Sequence, residues 1–243
     1  MSLIAGRVAG SLVALAVLGA GTVGVVATFL EHRLALTSTL VAGQLVVTDD
    51  IGDVTVHTGA PGQPIRVVRT FHWTLHRPQD AAVPLTDPGD PNAVATIDSQ
   101  CGGFRLDNCA VDLDITMPPV TGLQISVTTG DVRVDGAAGP LTVRTVTGDI
   151  TATGLRAAEP DLETGTGDLV AHFAAAPTQV QLRTTVGDVT VGLPGAAPYL
   201  VRARATVGDT NVTVPTSSTS HRTVDVTTQT GDVSVVTEPA RAP

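Results

Sequence analysis

The sequence predicts an all-β protein: a β-solenoid, a β-helix-like stack of short strands, preceded by a single transmembrane α-helix. Three observations predict it. Gly-Asp pairs recur at Gly52-Asp53, Gly130-Asp131, Gly148-Asp149, Gly167-Asp168, Gly187-Asp188, Gly208-Asp209 and Gly231-Asp232, with spacings of 18, 19, 20, 21 and 23 residues from Gly130 onward. Apolar and polar residues alternate on both sides of each pair. The chain is 42% hydrophobic but only 2% aromatic, so its core is built from Val, Leu, Ile, Ala and Thr, which suits narrow, layered β-structure.

The helix comes first. Residues 8–30 are 23 consecutive uncharged, mostly apolar residues. At about 1.5 Å rise per residue they span a hydrocarbon core of about 30 Å. A cleaved signal peptide is the rival reading, but its apolar region usually runs to ~7–15 residues. Arg7 and Arg33 flank the segment, so charge counting does not orient it. Ala16, Ala20 and Gly24 share one face at a spacing that can bring two helices together, although small residues abundant throughout the segment explain the pattern as well.

The first Gly-Asp pair, at Gly52, has Leu45, Val47, Val54 and Val56 at the inward positions of a rung. About 65 residues separate it from the next full unit. They hold strands at Ile65–Trp73, 93–97 and 111–116, and a proline-rich exposed loop at 78–92. The expectation is an initial rung with an inserted hairpin that caps the end of the stack, because open strand edges invite aggregation. Cys101 and Cys109 are the only cysteines. Eight residues apart around a glycine-containing turn, they are placed to close a hairpin by a disulfide. A metal pair has no second cysteine pair to complete it. Disulfides persist outside the cytoplasm, which sets the N-terminus in the cytoplasm and the rest of the chain outside it.

The regular rungs follow. Five residues before each glycine stand Ile125, Val143, Leu162, Leu182, Ala203 and Val226; two after it stand Val132, Ile150, Leu169, Val189, Thr210 and Val233; four after it, Val134, Ala152, Ala171, Val191, Val212 and Val235. The intervening positions are mostly polar. This period of two makes each unit a strand, a Gly-Asp corner and a strand, with one face buried. Two short strands cannot bury a face alone, so copies stack about 4.8 Å apart. A propeller needs ~40–45 residues per blade, about twice this period. Glycine permits the corner, and the aspartate is expected to bond its own nearby amides. A calcium ladder is the sharper alternative, but calcium-binding solenoids use short Gly-Gly-x-Gly-x-Asp units that are absent from this sequence. After Thr237 the tail is expected to fray.

Chemistry is sparse. Net charge is −9, and all 14 basic residues are arginine. This argues against nucleic acid, whose phosphates need clustered cations. His72 and His76 share a strand face but lie about 13 Å apart by strand rise, too far to chelate together; whether His57 joins them depends on the fold. No nucleophile elbow, phosphate loop, dinucleotide fingerprint or zinc-protease motif is present. Arg144, Arg183 and Arg204 point outward, as a basic stripe or as part of a face of alternating charge. No catalytic residue, metal ligand or cofactor is expected, and the protein is not expected to be an enzyme.

The stretches LVVTDDIGDVTV and DITMPP and the serial units VTTGDVRVDG, TVTGDITATG, TTVGDVTVGLP and TQTGDVSV resemble the bacterial putative-adhesin family, a domain of unknown function found in Gram-positive envelopes. Actinobacterial members are similar in their membrane helix, in a cysteine pair before the repeat and in a tyrosine, here Tyr199, opening a late rung. The resemblance covers roughly residues 40–237. It implies a β-solenoid in the cell envelope and no catalytic site. Thr210 departs from the pattern, standing where an aliphatic residue is expected.

The expected organisation is therefore a short cytoplasmic end and transmembrane helix at 1–34, a first rung with a capping, disulfide-bearing insertion at 35–122, regular rungs at 123–237 and a disordered tail at 238–243. The expected setting is the cell membrane, with a single pass through residues 8–30. An envelope structural or adhesive role is the leading reading, with an envelope polymer or a membrane protein as partner. Regulation through a membrane partner is second, and action on polysaccharides last.

Overall fold

The computed structural model describes residues 32–73, 93–100 and 109–238. The membrane segment at 8–30, His76 and Cys101 lie outside the described residues. No helix among the described residues is long and apolar enough to cross a membrane.

All regular structure described is β. The strands are β1 His32–Leu40, β2 Gln44–Ile51, β3 Val54–Thr58, β4 Ile65–Trp73, β5 Val94–Ser99, β6 Ala110–Met117, β7 Gly122–Thr129, β8 Val132–Asp135 and β9 Leu141–Thr147. They continue as β10 Ile150–Leu155, β11 Asp161–Thr166, β12 Leu169–Phe173, β13 Gln179–Val186, β14 Val189–Pro194, β15 Leu200–Val207, β16 Thr210–Val212, β17 Thr223–Thr230 and β18 Val233–Glu238. Two long sheets result. One orders β1-β4-β6-β3-β8-β10-β12-β14-β18-β16, the other β15-β17-β13-β11-β9-β7-β2-β5. Each Gly-Asp pair carries the chain from the second sheet to the first.

The rungs pair in parallel and in register. Val132, Ile150, Leu169, Val189 and Val233 form one inward column. Ile125, Val143, Leu162, Leu182 and Val226 form another on the facing sheet. All ten are at most 1% exposed, so the alternation in the sequence is the inside and outside of the stack. Each such side chain contributes roughly 1.5–3 kcal/mol by leaving water.

Two features differ from a serial reading. The segment between Gly52 and Gly130 holds another complete rung rather than a simple capping hairpin. β5 lies parallel to β2, and β6 lies parallel to β3. Only β4 and β1 then run antiparallel, extending the first sheet beyond that rung. β1 begins at His32, within the stretch assigned to the helix and its flank. The last two rungs are also exchanged. The rung of Gly231 lies directly on that of Gly187, and the rung of Gly208 lies outside it. Thr210 is thereby explained: β16 is a terminal strand, exposed throughout. Glu238, expected in the tail, is the last residue of β18 and its carboxylate meets His172 Nδ1 at 2.5 Å, while 239–243 lie outside the described residues.

The exchange makes the rung of Gly208 removable. Deleting residues 200–222 joins Tyr199 to Thr223 and leaves five residues between β14 and β17, as many as separate β12 from β13. The Thr223 amide already donates to Thr178 on the rung below. We expect the deletion variant to fold, with amides of β13 and β14 as protected from hydrogen exchange as in the parent. Loss of protection in those two strands would show that the outer rung is needed to hold the inner ones.

Candidate functional site

The Gly-Asp corner is the feature repeated along the whole stack. The corner glycines take φ between +134° and +152°, a region open essentially to glycine alone. This reverses one peptide. At Gly130 and Val132 the amides donate to the rung above, to Thr147 O and Asp149 O. The Asp131 amide between them points the other way and donates to Asp53 Oδ1 on the rung below, at 2.9 Å. The carboxylate is thus the acceptor for an amide that the corner turns away from the normal ladder.

The same bond recurs at every Gly-Asp corner. Asp149, Asp168, Asp188 and Asp232 donate to the carboxylates of Asp131, Asp149, Asp168 and Asp188 at 2.8–3.0 Å. Asp209 donates to Asp232 at 2.8 Å. At the other end the Asp53 amide donates to Asp112 Oδ1 at 3.2 Å. The expectation of local bonding within each turn is corrected: each aspartate bonds across rungs. Asp112 was missed in the sequence because Val111 occupies the glycine position of its rung. The available signal was the alternation in VDLDITM, which matches that after the other corners.

This column of carboxylates is thinly neutralised. Arg133 reaches Asp131 at 3.1 Å and Asp53 at 4.0 Å, and His72 Nε2 reaches Asp112 at 3.0 Å. Asp149, Asp168, Asp188, Asp209 and Asp232 have no cationic partner among the described residues. No group of three metal-ligating side chains capable of holding an ion occurs among the described residues. His57 and His72 do not meet. They pair opposite Thr116 and Ala110, six residues apart on β6, or about 20 Å by strand rise.

Behind the corner runs a second column. Thr145, Thr164, Thr184 and Thr228 are buried and donate Oγ1 hydrogen bonds to the carbonyls of Gly130, Gly148, Gly167 and Gly187 at 2.9–3.4 Å. Thr164→Val conserves volume but orphans the Gly148 carbonyl. A loss of about 1–2 kcal/mol in urea unfolding is expected. An unchanged midpoint would mean that water satisfies that oxygen.

In the rung of Gly52 this position is Asp49. It is 1% exposed, and neither carboxylate oxygen has a hydrogen-bond partner. Burial pushes its carboxyl up to about 7, with Asp50 and Asp112 adding repulsion; the Asp50 and Ile51 amides are close enough to oppose the shift but lie outside hydrogen-bond geometry. No sequence pattern had singled it out.

The outer face of the second sheet has alternating charge. Arg144 bonds Asp161 at 2.6 Å and approaches Glu163 at 3.5 Å, Arg183 reaches Asp161 at 3.4 Å, and Arg202 reaches Asp225 at 3.5 Å. Arg144 and Arg183 therefore belong to an ion-pair ladder, not a basic stripe. Cys109 lies just before β6, and its expected partner Cys101 is outside the described residues.

The profile of the family described as Toastrack DUF4097 matches residues 33–236. The chain belongs to that family. Its match runs from within β1 to within β18 and includes β4. Among solved structures, a putative cell adhesion protein from Clostridium sporogenes is similar at 14% identity and a TM-score of 0.52, with 85% of this chain and 100% of that chain covered. A putative adhesin from Bacteroides fragilis is similar at 13% identity and a TM-score of 0.47, with 85% and 97% covered. The first of these likenesses concerns the fold. No curated protein matches. In this Toastrack chain, the repeated Gly-Asp pair is the unit that builds the corner, and the aspartate column follows from stacking those corners.

Proposed function

We propose that this Toastrack domain is a non-enzymatic envelope protein, held at the cell membrane by residues 8–30 with its N-terminus in the cytoplasm, whose extracytoplasmic stack binds a surface polymer or another envelope protein. The observation that carries the reading is the stack itself, which shares its fold with a structure described as a putative cell adhesion protein. A stack of parallel rungs offers long outer faces, which suits binding extended partners. The 23-residue apolar segment suits an anchor. A Cys101–Cys109 bridge suits an oxidising compartment.

Two measurements test it. Purified residues 35–243 are expected to sediment with isolated cell-wall material; failure to bind any envelope fraction would remove the adhesive role. Protease added to intact cells is expected to cleave a C-terminal tag and spare an N-terminal one. The reverse pattern would overturn the topology.

A further inference from the structure

The two ends of the stack differ. At one end β4 and β1 carry the first sheet beyond the last rung. At the other end both sheets stop at the rung of Gly208, and Tyr199, just before β15, is bonded on its outer side by Pro215 O and the Ser217 amide, which leaves the edge open from Val201 onward. Among the described residues β15 pairs only with β17, and β16 only with β18. The outer edges of both strands therefore present unpaired backbone groups, and each inner position is half-covered. Val201, Ala203 and Ala205 are only partly buried against the core, whereas Val180 and Leu182, at equivalent positions on β13, are 0% exposed. Val207 and Val212 are 62% and 39% exposed.

Arg202 and Arg204 are the charged outward residues of β15. Arg202 reaches only Asp225, at 3.5 Å. Arg204 stands beside Thr227 and has no carboxylate partner among the described residues. In a chain of net charge −9, two outward arginines on an open strand form a local cationic strip. The aspartate column ends here too: every earlier carboxylate in it accepts an amide from the next rung, and Asp209 has no next rung.

We propose that the open edge of β15 and β16 is a strand-addition surface for an extended segment of another protein, with acidic side chains at alternate positions and small aliphatic ones between. Main-chain hydrogen bonds to β15 supply affinity, and alternate side chains supply selectivity. The acidic side chains lie beside Arg202 and Arg204, the aliphatic ones cover Ala203 and Ala205, and a strand continuing past the corner gives an amide to Asp209.

A second copy of this chain does not fit. Antiparallel pairing of β15 with its own copy places the arginines of both copies on one face, where like charges repel. Head-to-tail stacking requires β6 of the second copy to lie on β16, but that edge of β6 is already held by β4. The surface rests on this edge alone and does not depend on membrane anchoring.

The test mixes the full chain with a fluorescent peptide of about seven residues alternating valine and glutamate, and with a twin carrying lysine for glutamate. Binding is read by anisotropy, and its place by hydrogen exchange at the amides of β15. The glutamate peptide is expected to bind, to protect residues 200–207, to weaken with salt, and to lose at least about tenfold affinity in the Arg202→Glu, Arg204→Glu double variant. Both positions are exposed, and circular dichroism checks that the variant folds. Absence of binding by either peptide overturns the proposal and leaves the arginines as guards of the edge against aggregation. Equal binding by the two peptides overturns it as well, as does self-association of the chain that protects β15 without peptide.

Discussion

Gly148→Ala is expected to destabilise the protein by about 3–5 kcal/mol, with a lower urea midpoint and loss of protection in the rungs on either side. Two costs combine at this position. The backbone at Gly148 has φ of +141°, which a side chain rarely adopts. A Cβ there would also stand 2.0 Å from the carbonyl oxygen of Gly130 on the rung below and 2.6 Å from its carbon. Backbone hydrogen bonds hold that carbonyl's rung in place, so the contact cannot be relieved by a side-chain rotation. The strain travels, because Gly148 also accepts from Thr164 and its neighbour Asp149 both donates to Asp131 and accepts from Asp168. Gly62 is the control. Its φ is +77°, but nothing lies within 4 Å of its would-be Cβ. Gly62→Ala therefore meets only the backbone term and is expected to cost about 1–2 kcal/mol. Equal losses in the two variants would show that conformation, and not the approach of the rungs, makes the corner glycine necessary.

The same particulars show what could be read before the structure. Val189 and Val191 are apolar, Thr190 between them is polar, and the columns they enter follow directly from the period of two. Glycine at the corner was legible because few residues besides glycine allow that turn. The bonding of the aspartates was not, since Asp53 and Asp131 are 78 positions apart and Asp188 and Asp232 are 44 apart. The rung of Asp112 was hidden because Val111, and not a glycine, stands at its corner position. The exchange of the last two rungs was hidden for another reason. Rungs whose columns carry the same residue types are interchangeable neighbours, and the only marks of an end are weaker inner residues. Ala203, Ala205 and Thr210 are such marks, and they do belong to the outermost rung. Arg144 and Arg183 could not be separated from a basic stripe until Asp161 was seen between them.

Asp49→Thr is expected to raise stability at pH 8 by up to about 4 kcal/mol while changing it little below pH 4. The carboxyl of Asp49 is buried without a hydrogen-bond partner, and its folded-state value is about 7 against an ordinary 3.8. The sign follows from which state holds the proton. Below the ordinary value both folded and unfolded chains are protonated, and the group costs nothing further. Between about 4 and 7 the unfolded chain has released its proton and the folded chain keeps it, so stability falls as pH rises. Above the folded value the native state must hold a buried anion beside Asp50 and Asp112, and the whole penalty is present. Threonine is the residue that four other rungs use at this position, where its hydroxyl donates to the glycine carbonyl one rung below. The matching oxygen for residue 49 is that of Val111, which lies against Gly52 as Gly130 O lies against Gly148. The variant therefore exchanges an unpaired ionisable group for a neutral donor with an acceptor in reach. Urea unfolding of the parent from pH 4 to 8 is expected to show a decline that the variant lacks. A parent curve flat across that range would mean that Asp49 is ionised and solvated in the native state, and the threonine gain would then vanish with it.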